Sequence, residues 1–554
     1  MPQNPEDGAN SGATERRKAW LAGLLVFVLA LAVRLALLEE VAGSYLETED
    51  LITDVSFYVE RAREIANGDV FGRDPGYLSP IYCGFLGLVY ACGGELGAAK
   101  IVQAILSAAS CVLVFALAQR LFNWRVGALA GTVFALYGMH AFYAALILPT
   151  TLEVLFNLAF LVLAIPGARP PSLPRYLAAG AVLGLAIGVK PNALLLIPLT
   201  LLWIFAGLRE FELARRMRLA ASLCLGVFLT VAPLTWRNHQ VSGEFVLVSV
   251  VGGRNLLKGN GPDADGSHVF LPPSRAGVGL NAIRQGTVAP ALAVADDREK
   301  QREALEYMLE HPGRALQLFG KKLFLMFNAR ELSIRDHFDF ARTRFDVLRW
   351  LPFTFAVVAP IGLVGMAFTL ARKRFTLVHL MILVQVVSFV LVFVLGRYRL
   401  VMVACLAILG AGHAQRFTEA LKQRERRTVL LSLVLWAAFA LPALLPVPGF
   451  PAERGWVDQY RASAVRNQEL GRWEEAIADW NGALATLWTN DLPSLAPPVI
   501  HVEIARCQLR LSRPDAARRA LEQAQAALNE FGPGPRYAAL QREIEALYEE
   551  VGGG

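Results

Sequence analysis

Long apolar runs separated by short basic connections occupy most of the chain. They fall at about 20–38, 97–120, 126–145, 148–166, 176–190, 192–208, 219–235, 350–371, 376–395, 399–415 and 428–446. Each approaches the ~20 residues that a helix needs to cross a bilayer. Eleven crossings are predicted. Residues 79–93 are apolar too, but Pro80, Gly84, Gly87 and Gly93 interrupt them, so an interfacial or re-entrant segment is expected there. Arg16, Arg17 and Lys18 precede the first run, which is too long for a signal peptide and lacks a small-residue cleavage site. It reads as an uncleaved helix that follows a disordered cytoplasmic N-terminus, residues 1–18.

Basic residues fix the orientation. With eleven crossings the cytoplasmic connections hold Arg120 and Arg125; Arg169 and Arg175; Arg209, Arg215, Arg216 and Arg218; Arg372, Lys373 and Arg374; and Arg416, Lys422, Arg424, Arg426 and Arg427. Counting 79–93 as a full crossing would place these clusters outside. The odd number puts the C-terminus outside the cytoplasmic membrane.

Two long outer loops are predicted, 39–96 and 236–349. The first carries Glu47, Glu49, Asp50 and Asp54, then an amphipathic helix in which Phe57, Tyr58, Ala62, Ile65 and Ala66 share one face. The second contains GEFVLVSVVGGRNLLKGNGPDADG, where Phe245, Leu247 and Ser249 suggest a short strand before turns. A helix near 294–311 follows, and 312–330 reads as an amphipathic helix lying on the membrane. After Pro446, Pro448 and Pro451 the pattern becomes polar and helical. There LGRWEEAIADWNGAL (470–484) resembles LSRPDAARRALEQAQ (511–525), with the Pro-containing DLPSLAPP between them. The spacing suggests a tetratricopeptide-like domain over 455–554, capped by a helix near 537–550. An ordinary helical hairpin is the simpler alternative.

Composition agrees with the membrane reading: 55% of residues are hydrophobic and 18% charged. The net charge of +7 does not indicate nucleic acid, because the basic residues flank apolar runs. The six cysteines form no CxxC pair or metal spacing; Cys111, Cys224 and Cys405 lie in apolar runs as small hydrophobes, and a Cys83–Cys92 disulfide is not expected. No phosphate-binding glycine loop, metalloprotease motif or nucleophile elbow is present. No metal site or cofactor is predicted; Asp263 and Asp265 read as turn residues, and His140 and His337 as ordinary polar residues.

What remains is a set of charges at the outer ends of helices: Arg34, Asp54, Glu153, Lys190, Arg397 and Arg399. Ionisable groups at membrane depth are expensive, and their collection on one side points to a site. They suit transfer of a sugar from a polyprenyl phosphate. Arginine or lysine holds the phosphate and meets the charge that grows on it, while a carboxylate takes the acceptor's proton. One inverting displacement needs one base, and the leaving phosphate needs no acid. Each residue also has a plainer reading. Asp54 serves equally as a helix cap, Arg34 and Lys190 as snorkelling residues, Glu153 as an ion-pair partner, and Glu49 and Asp50 as loop carboxylates.

Over residues 15–446 the chain resembles the GT-C membrane glycosyltransferases, in the branch of protein O-mannosyltransferases and bacterial transferases acting on polyprenyl-phosphate sugars. The resemblance rests on Asp54 followed by Tyr58, Ala62 and Gly68; Ser79-Pro80-Ile81-Tyr82; Lys190-Pro191-Asn192; Trp236-Arg237-Asn238; GGRNLLKGN; and Arg397-Tyr398-Arg399. It implies a GT-C-like transmembrane domain over 19–446, with Asp54 as catalytic base. Val55 stands where the commonest members carry a second acid, so Glu49, Asp50 and Glu153 are the candidates for another carboxylate. Arg397, Arg399, Lys190 and Arg34 are the candidate phosphate ligands, and Arg237, Asn238, Asn255 and Asn260 the candidate substrate-loop residues.

The sequence thus predicts an all-α polytopic membrane glycosyltransferase that takes its sugar from a polyprenyl phosphate and gives it to an extracytoplasmic glycan, lipid or protein. The repeats would recruit a protein partner. The competing reading is a transporter or lipid flippase, which would call for helix breaks and polar residues near mid-bilayer in two related halves.

Overall fold

The computed structural model describes residues 5–47, 54–167, 170–272, 277–278, 282–283, 286–334, 336–447, 455–489, 496–530 and 535–552. Glu49 and Asp50 lie outside these residues. The structure is all-helical; among the described residues there is no strand, and one isolated bridge joins Tyr137 and Phe353.

Two units divide the chain. The first comprises residues 1–38, 51–332 and 347–445. Six helices are long and apolar enough to cross a membrane: Thr14–Val41, Leu96–Leu121, Leu213–Ser242, Lys373–Leu391, Gly396–Lys422 and Arg426–Leu444. Shorter apolar helices span Pro80–Ala91, Thr150–Ala164, Leu173–Val189, Pro191–Gly207 and Phe355–Thr369. This is a multi-pass membrane protein.

Three expectations change. The first helix starts at Pro5, because alanine, glutamate and arginine carry helix backwards through the stretch expected to be disordered. The run 126–145 is not one helix but two, Trp124–Ala135 and Gly138–Ala144, separated where Gly138 N–H bonds Phe353 O at 3.3 Å. Finally, no strand forms at 245–249. Val246, Val248 and Val250 turn inward while Phe245 is exposed, so the alternation is real. Its partner is a side chain: Asn238 Nδ2 donates to Val246 O (3.3 Å) and Val248 O (3.0 Å), and Val250 N–H donates to Gly76 O (3.1 Å).

Close packing of the spanning helices relies on small residues, as membrane helices require. Leu173–Val189 lies against Leu213–Ser242 through Gly180 and Gly226. A Cβ on Gly180 would stand 2.0 Å from Leu223 O, and one on Gly226 2.2 Å from Leu177 O. The helix Trp124–Ala135 is capped by Asn123, whose side chain accepts from Arg125 N (3.0 Å) and Val126 N (3.1 Å).

The second unit gathers residues 39–50, 333–346 and 446–554. Its tail forms helices Trp456–Glu469, Trp473–Thr489, Ala496–Arg510, Pro514–Asn529 and Pro535–Gly552. Trp480, Leu484, Ile500, Leu521, Leu528 and Ile544 share one core. Ala476 and Ala517, which align in the two resembling stretches, are each the fourth residue of their helix and fully buried. Buried Asp479 accepts from Ser463 Oγ (2.6 Å) and Asn467 Nδ2 (3.0 Å) and pairs with Arg344. Phe340 packs edge-on against Tyr45, Trp456 and Tyr460 in the same unit.

Candidate active site

Asp54 is the first residue of the helix Asp54–Ala66, where a carboxylate also suits the helix dipole. Tyr58, one turn on, anchors that face. Its buried ring meets Tyr82 edge-on at 4.8 Å, and Tyr82 Oη donates to Gln103 Oε1 at 2.6 Å. Gln103 in turn donates to Ala144 O (3.2 Å) and Leu146 O (2.8 Å). Half-buried Asp54 is thereby held within electrostatic reach of Arg397, Tyr398, Tyr58 and Lys258.

Glu153 belongs to the first turn of Thr150–Ala164, and Lys190 follows the end of Leu173–Val189. Lys190 Nζ lies 3.1 Å from Glu153 Oε2 and sits over the rings of Tyr398 (3.6 Å) and Phe389 (4.6 Å). The other Glu153 oxygen, Oε1, is buried without a hydrogen-bond partner. Arg397 acts electrostatically on both members of this pair. Asp54, Glu153, Lys190 and Arg397 therefore share one site.

Arg34 and Arg399 do different work. Arg34 is buried in a polar knot, donating to Ser107 Oγ (3.0 Å), Ala30 O (3.0 Å) and Ala135 O (2.7 Å), with His140 Nδ1 at 2.8 Å. Arg399 pairs with Glu331, donates to Asn328 O and Arg330 O, and lies over the Phe355 ring at 4.0 Å. Both guanidinium groups are consumed by the fold. His140, expected to be an ordinary polar residue, belongs to the Arg34 knot.

The substrate-loop candidates are mostly clamps. Arg237 donates to Asp74 O at 2.6 Å and pairs with Asp74 Oδ2 at 3.4 Å, and Asp74 also accepts from Gly76 N and Tyr77 N. Asn238 holds the 246–248 backbone, as above. Asn260 donates to Leu391 O (2.9 Å) and accepts from Lys322 (2.7 Å). Asn255 is half-buried on the helix Gly252–Asn260. That helix is fixed at its start by Asp297, which accepts from Gly253 N (3.1 Å) and Arg254 N (3.0 Å). Asp265 closes a turn by accepting from Ser267 N at 2.8 Å.

The sequence reading did not single out Lys258 and His268, although Lys258 lies within GGRNLLKGN. Lys258 Nζ is 3.0 Å from His268 Nε2. Burial, then the Lys258 and Arg397 charges, push the His268 pKa down to about 3, so its ring is neutral at physiological pH. Burial lowers the Lys258 pKa, opposed by the Asp54 charge.

The stretch that carries Glu153 and Lys190 matches a known family. Residues 80–236 match the family model described as dolichyl-phosphate-mannose-protein mannosyltransferase, over less than half of the chain. No curated protein matches the chain. Among solved structures, it is similar to ArnT from Cupriavidus metallidurans bound to undecaprenyl phosphate: 16% identity, 95% of this chain, 77% of that chain and a TM-score of 0.42. It is also similar to the oligosaccharyltransferase AglB from Archaeoglobus fulgidus, in complex with an inhibitory peptide and a dolichol-phosphate. There the identity is 16%, the cover 83% of this chain, and the TM-score 0.39. The chain spans 59% of the length of that oligosaccharyltransferase.

Proposed function

We propose that this protein is a membrane glycosyltransferase that moves one sugar from a polyprenyl-phosphate carrier to an acceptor hydroxyl outside the cytoplasmic membrane. The observation that carries the reading is the convergence of Asp54 with Arg397, Lys190 and Glu153 in a multi-pass helical protein. The family match over 80–236, which includes two of these residues, supports the same donor class.

The acceptor oxygen forms a bond to the anomeric carbon as the bond from that carbon to the phosphate oxygen breaks. Asp54 takes the hydroxyl proton, and the electron pair leaves with the phosphate. Arg397 and Lys190 meet the charge that accumulates there, in a setting where fixed cations need little reorganisation. Glu153 holds Lys190 in the empty site and is released from it as the phosphate arrives. The N-terminus lies in the cytoplasm and the tetratricopeptide-like tail outside, where it recruits the acceptor or a partner.

The test is sugar release from a panel of radiolabelled polyprenyl-phosphate sugars by purified wild type and Asp54→Asn, both checked for folding by size exclusion. Turnover by wild type and a loss of roughly a hundredfold or more in the variant are expected for a general base. Equal turnover by the two would remove Asp54 from the chemistry. Movement of labelled lipid across a vesicle bilayer, without sugar release from any donor–acceptor pair, would replace the transferase by a transporter.

A further inference from the structure

Asp54 has cationic neighbours of two kinds. Arg397 belongs with Lys190 and Glu153, the group that receives the donor phosphate in the reading above. Lys258 belongs with His268, on separate parts of the 236–349 loop. Among the described residues Lys258 has no carboxylate within ion-pair distance; its hydrogen-bond partner is an imidazole without charge. The rest of that imidazole is enclosed: Phe270 and Phe393 meet it edge-on at 5.2 and 5.1 Å, and its Nδ1 is buried without a partner. Phe270 itself is exposed.

Nearby loop cations elsewhere are neutralised. Arg254, on the same helix, pairs with Asp296 at 2.6 Å, and Arg237 pairs with Asp74. A half-buried ammonium beside a catalytic base, left with only a neutral partner, is expensive unless a ligand's anion completes it. Inversion fixes which ligand. The base must meet the acceptor hydroxyl, and the phosphate must leave from the opposite face of the sugar. The cation that shares the base but not the phosphate group therefore belongs with the acceptor.

We propose that Lys258 and His268 form an acceptor subsite for an anionic group, a phosphate or carboxylate borne near the hydroxyl that receives the sugar. Lys258 supplies the charge, neutral His268 fixes the ammonium, and exposed Phe270 offers an apolar face beside it. This rests on the transferase reading, and it makes the acceptor an anionic molecule rather than a neutral glycan.

The test uses the full-length, detergent-purified protein and glycerol 3-phosphate as a small anionic probe, read by equilibrium dialysis. Lys258→Met is expected to weaken binding roughly tenfold, the effect of losing a charge-assisted contact, with Lys258→Arg restoring most of it. Arg397→Met is expected to change it by no more than about threefold. Thermal unfolding establishes that each variant is folded. With a radiolabelled polyprenyl-phosphate sugar as donor, wild type should prefer glycerol 3-phosphate over glycerol as acceptor, and Lys258→Met should lose that preference. Probe binding that depends on Arg397 and not on Lys258 would show a single anion seat, that of the donor, and overturn the proposal. Absence of saturable binding by folded wild type would overturn it as well. Failure of the transferase reading shows separately, as no sugar release from any donor while dialysis still reports the anion seat.

Discussion

Lys322 is fully buried on the helix Pro312–Phe327, where its ammonium donates to Asn260 Oδ1 at 2.7 Å. Burial pushes its pKa from the ordinary 10.5 down to about 8. In the window between those values the unfolded chain holds a proton that the folded one has lost, so stability rises with pH there. Below about 8 both states are charged and the full penalty of burial, on the order of 3 kcal/mol, is present. Subtracting the pH–stability curve of Lys322→Met from that of wild type should leave a rise between pH 8 and 10.5; a flat difference would mean that Lys322 is solvated. The variant also orphans the Asn260 carbonyl, at a cost of about 1–3 kcal/mol that does not vary with pH. Sequence reading placed Lys321 and Lys322 together on an amphipathic helix lying on the membrane. Helical phase alone cannot tell which of two adjacent lysines turns inward, because that depends on an asparagine some 60 residues earlier.

The short helix Gly396–Arg399 shows how two neighbouring arginines come to differ. Its start is tied to the 328–332 segment by Gly396 N–H to Leu332 O at 2.7 Å, and Arg399 grips the same segment through Asn328 O, Arg330 O and Glu331. Arg397 and Tyr398 are then presented to Asp54 and Lys190. Arg399→Met should therefore lower stability by about 3–5 kcal/mol, the cost of breaking a buried pair, and lower activity only as the segment loosens. Arg397→Met should leave thermal unfolding nearly unchanged while raising the KM for the polyprenyl-phosphate donor. The reverse pattern would exchange their roles. From sequence, both arginines mark the outer end of a spanning helix, and the run of apolar residues around them is legible. Their separation depends on Glu331, in a loop without periodicity. The same holds for Arg34, whose knot needs Ser107 and His140 from other helices. By contrast Asp54, Glu153, Lys190 and Arg397 could be grouped in advance, because topology alone brings helix ends together.

At the scale of the molecule, the second unit constrains the path of the chain. Residues 39–50 follow the first spanning helix, residues 333–346 precede Phe355–Thr369, and 446–554 follow the last spanning helix, yet all three segments pack as one unit. Phe340 from the second, against Tyr45 from the first and Trp456 and Tyr460 from the third, makes the association a buried aromatic cluster rather than a surface contact. A shared aqueous core cannot be assembled from both sides of a bilayer. The number of crossings between residues 50 and 333 must then be even, and so must the number between 346 and 446. Six and four, as the hydropathy pattern predicts, satisfy both conditions, and counting Pro80–Ala91 as a further crossing would violate the first. At 12 residues that helix is about 18 Å long, well short of the ~30 Å hydrocarbon core. With exposed Cys92 and Cys224 replaced by serine, a membrane-impermeant maleimide applied to intact cells should label Asp458→Cys. Lys422→Cys, in the basic connection before Arg426–Leu444, should react only after the membrane is opened. Labelling of both positions from the same side would require an even number of crossings between residues 422 and 458, removing Arg426–Leu444 as a span and reversing one end of the proposed orientation.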